Sequence, residues 1–243
     1  MSNSSLKNWK DGKKQLTSRS VNCREPKRPI QVKEFDLTEI KNHFDEEIER
    51  IRSLNSIRCS LDDEEISNQI LKGQIVFAES CLDFYLHELG KYGVLAMYRG
   101  EWSRTNQLNK LQLSFEDIES VITRAIKGDI LNEQWLLDAA NKKFFIECYL
   151  SYSKMDAHLK LIGINLNEAL KEMNSSPEPN SQNKAKETIQ ELFKVRNQIV
   201  HQSNRSHADA EFYQMSTENA EKYIEDIKKI GDLIYEAARK RHL

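Results

Sequence analysis

The chain has 243 residues, of which 39% are hydrophobic and 30% charged, enough for one sizeable core or one domain with an appendage. Only 8 Gly and 4 Pro punctuate it, which favours helices over a turn-rich β fold. No stretch approaches the roughly 18 consecutive apolar residues of a membrane helix and the start lacks the apolar centre of a signal peptide, so a soluble cytoplasmic protein with no membrane partner is expected.

Net charge is only −2, but it is unevenly spread. Residues 1–33 hold nine Lys or Arg against Asp11 and Glu25, a net +7 that leaves −9 on the remainder. With Ser, Asn, Pro26 and Pro29 among the charges, residues 1–35 read as a basic, extended arm. Such an arm can hold RNA phosphates, with Lys13, Lys14, Lys27 and Arg28 as the candidate contacts; it can equally solubilise the terminus or lie against the acidic body. The cysteines, Cys23, Cys59, Cys81 and Cys148, form no C-x-x-C pair and read as reduced thiols.

Asp36-Leu37-Thr38-Glu39 has the form of a helix start, and Leu37, Ile40, Phe44, Ile48, Ile51 and Leu54 recur at three and four, predicting an accessory helix within residues 36–59. Asp62 to Lys91 is expected to be the most buried helix, since apolar residues cover most of its circumference. One polar stripe remains on it, Glu79, Asp83 and His87 at intervals of four: either a solvated face or a source of acid for an inward-facing cation. Lys91 to Leu113 reads as an irregular connection, with Tyr98 and Trp102 beside Arg99 and Arg104 suited either to stacking on bases or to plugging the edge of a core. Ser114 begins a further helix that Gly128 ends. Asn132 begins another, continuing, bent or interrupted, to Leu161. A short helix from Leu166 to Met173 and a loop at 174–181 then deliver Lys184 to Ser203, and Ser216 or Thr217 starts the closing helix.

Within Lys184 to Ser203, Ile189, Leu192, Phe193, Ile199 and Val200 form an apolar stripe, and the spacing puts Arg196 in its middle. A guanidinium facing packed side chains demands a partner. His201 follows at the stripe's edge, one turn after Asn197. Of the six histidines, His43, His87, His158, His207 and His242 read as surface or helix-edge residues. There is no internal repeat, Gly-rich phosphate loop, H-E-x-x-H helix or G-x-S-x-G elbow, and Glu79, Asp83 and His87 on one helix make a poor metal site, so neither metal nor cofactor is expected.

Arg196, Asn197 and His201 fit the form R-N-x-x-x-H, and here the chain resembles the HEPN domains, all-α ribonucleases and their relatives, similar to the stand-alone RiboL-PSP-HEPN type. The resemblance covers roughly residues 60–243 and implies an all-α helical bundle. It also implies catalytic roles for Arg196, Asn197 and His201, supported by Glu79 or Asp83. The expected activity is metal-independent cleavage of RNA through the 2′-hydroxyl, leaving a 2′,3′-cyclic phosphate. One His can hardly be acid and base at opposite ends of one displacement, so a homodimer with a composite site is implied. Relatives often act in defence against phage or as toxins, which suggests an antitoxin or regulatory partner. The alternative is that the fold serves as a non-catalytic dimerisation or RNA- or protein-binding module, with Arg196 a structural residue.

Overall fold

The computed structural model describes residues 36–127, 133–174, 183–202 and 214–242. These residues hold eight α-helices, three short 3₁₀ turns and no strand, so the fold is all-α as expected. Val32–Leu243 forms one compact unit. No helix among the described residues is long and apolar enough to cross a membrane.

Helix α1, Leu37–Cys59, starts where the sequence placed it, with Asp36 accepting from the Thr38 N–H. Its buried face, Leu37, Ile40, Phe44, Ile48 and Ile51, lies along α2. Helix α2, Glu64–Arg99, is the axis of the bundle: its 36 residues span about 54 Å. Asp63 caps it through the Ile66 N–H, Glu64 and Glu65 complement its positive end, and Gly100 closes it at a left-handed φ of 78°. Sequence reading ends this helix near Lys91; the structure carries it eight residues further. The reason is tertiary: Tyr92, Val94, Leu95, Ala96 and Met97 are enclosed on all sides, and Gly93 lets Ile162 and Trp102 approach the helix closely.

Helix α8, Thr217–Arg239, begins at the predicted cap Ser216 and packs against α2 and α1 through Ile224, Ile227, Ile230 and Ile234. Gly231 allows the ring of Phe44 to lie against its backbone. Between α1 and α8, Lys41 pairs with Asp232 at 2.7 Å and Lys228 with the same carboxylate at 2.9 Å. Gln74, fully buried, donates to the Ile51 carbonyl at 2.7 Å.

The other helices are shorter. They are α3 (Phe115–Ile126), α4 (Gln134–Phe144), α5 (Tyr152–Leu161), α6 (Leu166–Ala169) and α7 (Lys184–Gln202). The stretch read as continuing, bent or interrupted, to Leu161 is interrupted: α4 and α5 are separated by a non-helical segment at 145–151. Trp102 is a core plug, 2% exposed and covered by the Arg241 guanidinium, whereas Tyr98 is half-exposed and meets Trp135 edge-on. Arg241 donates to the Gly163 and Ser103 carbonyls at 2.9 and 2.7 Å.

Candidate active site

Helix α7 buries Ala185, Ile189, Leu192 and Val195, a row at intervals of four, three and three, with Val195 and the partly buried Ile199 against Leu71 and Ile75 of α2. Val200 is exposed. The row keeps Ile189 and Leu192 of the sequence stripe but gains Ala185 and Val195 and loses Val200, so Arg196 lies at its edge, half-buried, instead of in its middle. Arg196 Nη1 donates to Asn197 Oδ1 at 3.0 Å, and its Nε is buried without an acceptor. Asn197 is half-buried and His201 is exposed.

Across from Arg196 stands α2. Glu79, read as part of a solvated face or as acid for Arg196, is only 2% exposed. Burial, reinforced by Asp83 and opposed by Arg196, pushes its carboxyl up to about 8, so the neutral acid prevails at pH 7. Glu79 thus feels the Arg196 charge, but no ion-pair contact joins them among the described residues. Asp83 is committed elsewhere: its Oδ1 accepts the Tyr149 N–H at 2.7 Å, and its Oδ2 lies 3.7 Å from His87 Nε2.

That hydrogen bond ties the 145–151 segment to α2. Tyr149 stacks on His158 with ring centroids 3.8 Å apart, and His87 meets the Tyr149 ring at a tilt, 4.8 Å between centroids. His158, read as a helix-edge residue, is a buried one. Because a carbonyl can only accept, its Nε2 carries the proton that bonds the Leu86 carbonyl at 2.9 Å. Burial pulls its pKa down to about 4. Cys148, at the surface of the segment, is within electrostatic reach of Asp83, Arg196 and Glu79. Sequence reading missed Tyr149, Cys148 and His158 because they meet α2 across more than 60 residues; Ser151, in cap position before α5, was the sole local sign of the break.

Arg196, Asn197, Glu79 and Asp83 therefore gather at the α2–α7 contact, and His201 stands on the open side of the same helix. Lys13, Lys14, Lys27 and Arg28 lie outside the described residues. Among the described residues, no three His, Cys, Asp or Glu side chains converge in a way that could hold a metal ion.

A helical unit wound about one long buried helix, with R-N-x-x-x-H carried late in the chain beside a buried acid, falls in the class of HEPN domains. The chain belongs to the RiboL-PSP-HEPN family, whose model matches residues 27–240 and so includes α1. No curated protein and no solved structure matches the chain.

Proposed function

We propose that this chain is a metal-independent endoribonuclease, a reading supported by its family and carried by the convergence of Arg196 and Asn197 with the buried acid at the α2–α7 contact, next to an exposed imidazole. Arg196 supplies a permanent charge and a planar fork of donors for the phosphate oxygens. His201, exposed, is free to exchange protons with substrate. In the reaction a base takes the 2′-hydroxyl proton and the 2′-oxygen attacks phosphorus. The P–O5′ bond breaks, and an acid protonates the leaving oxygen. The products are a 2′,3′-cyclic phosphate and a 5′-hydroxyl. Guanidinium charge at the crowded phosphorane lowers the barrier, and Asn197 orients the groups on either side of it.

Two proton transfers at opposite ends of one displacement call for two imidazoles. A second copy of the chain supplies the other, and exposed apolar side chains are present for pairing: Val200 on the motif helix, and Phe77 and Phe84, 57% and 60% exposed, on the side of α2 turned away from α7. RNA is the substrate partner in this reading. A place in phage defence or as a toxin, restrained by a protein partner, fits the same chemistry, because an unregulated RNA-cutting site would harm its own cell.

The test is cleavage of a labelled single-stranded RNA in EDTA by wild type, Arg196→Ala and His201→Ala. Cutting by wild type alone, with cyclic phosphate ends, is expected. Equal inertness of all three folded proteins on varied RNAs would instead mark a non-catalytic binding module.

A further inference from the structure

Glu79 is the buried acid that the cleavage scheme leaves unused. Its Oε2 is sealed from solvent with no hydrogen-bond partner, and so is Arg196 Nε on α7, next to Val195, which shares a buried cluster with Ile75 one turn before Glu79. Other polar groups nearby are engaged: Asp83 Oδ1 by the Tyr149 N–H, and Arg196 Nη1 by Asn197. An unfilled acceptor on α2 and an unfilled donor on α7 therefore lie in the same packed region, within electrostatic reach of each other. The charged and titratable groups facing Glu79 are Arg196 from α7, Asp83 from one turn along α2, and Cys148 from the 145–151 segment. Burial and Asp83 favour the neutral acid, and only Arg196 favours the anion.

We propose that Glu79 is a positioning residue for Arg196, its proton acting as a latch. Protonated, the carboxyl leaves the guanidinium charge to the RNA phosphate. Ionised, it draws Nε inward, fills both vacant hydrogen-bond positions and withdraws Arg196 from the substrate. This inference rests on the ribonuclease reading, which supplies the phosphate. Ionisation of Glu79 and phosphate binding at Arg196 then compete, so by linkage phosphate binding must strengthen the hold of Glu79 on its proton. Near pH 8, where burial has placed this equilibrium, RNA binding takes up a proton from the buffer.

Two measurements test the latch. In the first, kcat/KM for RNA cleavage is followed from pH 6 to 10, where a single ionisation lowers it by about tenfold per pH unit above its pKa. In the second, binding of a 2′-O-methylated RNA, which cannot be cut, is measured calorimetrically at pH 8 in buffers of different ionisation enthalpy. Wild type should show an alkaline fall beginning near pH 8 and proton uptake on binding. Glu79→Gln, which mimics the protonated acid at every pH, should keep only the fall set by the general-acid imidazole, lose the further limb near pH 8 and lose the proton uptake; Glu79→Met provides the same readout should the amide fail to fold. An unchanged alkaline fall and equal proton uptake in these variants, or a wild-type profile with no Glu79-dependent limb, overturns the latch while cleavage upholds the ribonuclease. Folded wild type that neither binds nor cuts RNA at any pH overturns the ribonuclease reading, and the latch with it.

Discussion

Arg196 and His201, five residues apart on α7 and so about 140° apart around it, occupy opposite surroundings: the arginine Nε is sealed against α2, and the imidazole is open to solvent. Asn197, whose amide holds the guanidinium at 3.0 Å, stands between them around the helix. An exposed side chain far from packing contacts contributes within about 0.5 kcal/mol of stability. His201→Ala should therefore leave the urea midpoint nearly unchanged and reduce cleavage by about 10²–10⁴-fold, the usual worth of a positioned acid or base. Paired denaturation and single-turnover measurements check this. A variant that loses stability and activity together would assign His201 a structural role.

The second prediction concerns His158 and has a definite sign. Its folded pKa, about 4, lies below the ordinary value of 6.5, so the unfolded chain binds the extra proton first. Its contribution to stability is complete above pH 6.5 and is lost as pH falls towards 4. At about 1.4 kcal/mol per pH unit the loss is about 3 kcal/mol. His158→Gln cannot titrate there, so the stability gap between wild type and this variant should narrow by that order between pH 7 and pH 4 in urea melts. A constant gap would mean that the imidazole is already charged, or is not enclosed beside Tyr149.

Gly231 predicts a steric effect that runs against helix propensity. Alanine is favoured over glycine in a helix by about 1 kcal/mol, so Gly231→Ala would stabilise an isolated α8. In the folded bundle a Cβ at this position would run into three atoms of the Phe44 ring from α1. Overpacking of this kind costs about 1–3 kcal/mol. Thermal unfolding should show net destabilisation, partly relieved when Phe44→Leu is added, and the two changes should be non-additive.

The exposed aromatics on α2 give a prediction about assembly. Phe77→Asp with Phe84→Asp places two carboxylates where the side chains are more than half exposed among the described residues, so the monomer fold should persist by circular dichroism. Under the proposed pairing, sedimentation should show a dimer for wild type and a monomer for the variant, and cleavage should fall with it. A monomeric variant that cuts as well as wild type would sink the composite site.

Much of the local architecture could be read along the chain. The starts of α1, α3 and α8 follow from Asp36, Ser114 and Ser216, whose side chains meet backbone N–H groups two or three residues on. These are short-range interactions, settled by residues that are neighbours in sequence. R-N-x-x-x-H was legible for the same reason, because five residues on one helix have a known angular relationship. Counting Val200 into the apolar row on α7 and leaving out Val195 displaced Arg196 from the edge to the middle: periodicity gives the spacing of a face, but its centre depends on which helix packs against it.

What the amino-acid order determined by itself was the helical class, the family motif and most helix starts, since propensity, capping and 3.6-residue periodicity all act within a few turns. Only the tertiary structure decided that α2 runs on to Arg99, that the chain breaks at 145–151 and that His158 is enclosed. It alone brought Glu79 within electrostatic reach of Arg196, 117 residues away, and sealed the acid from water. The physical reason is desolvation: whether a carboxyl is a solvated anion or a buried proton carrier depends on the surfaces that close over it, and those come from distant parts of the chain.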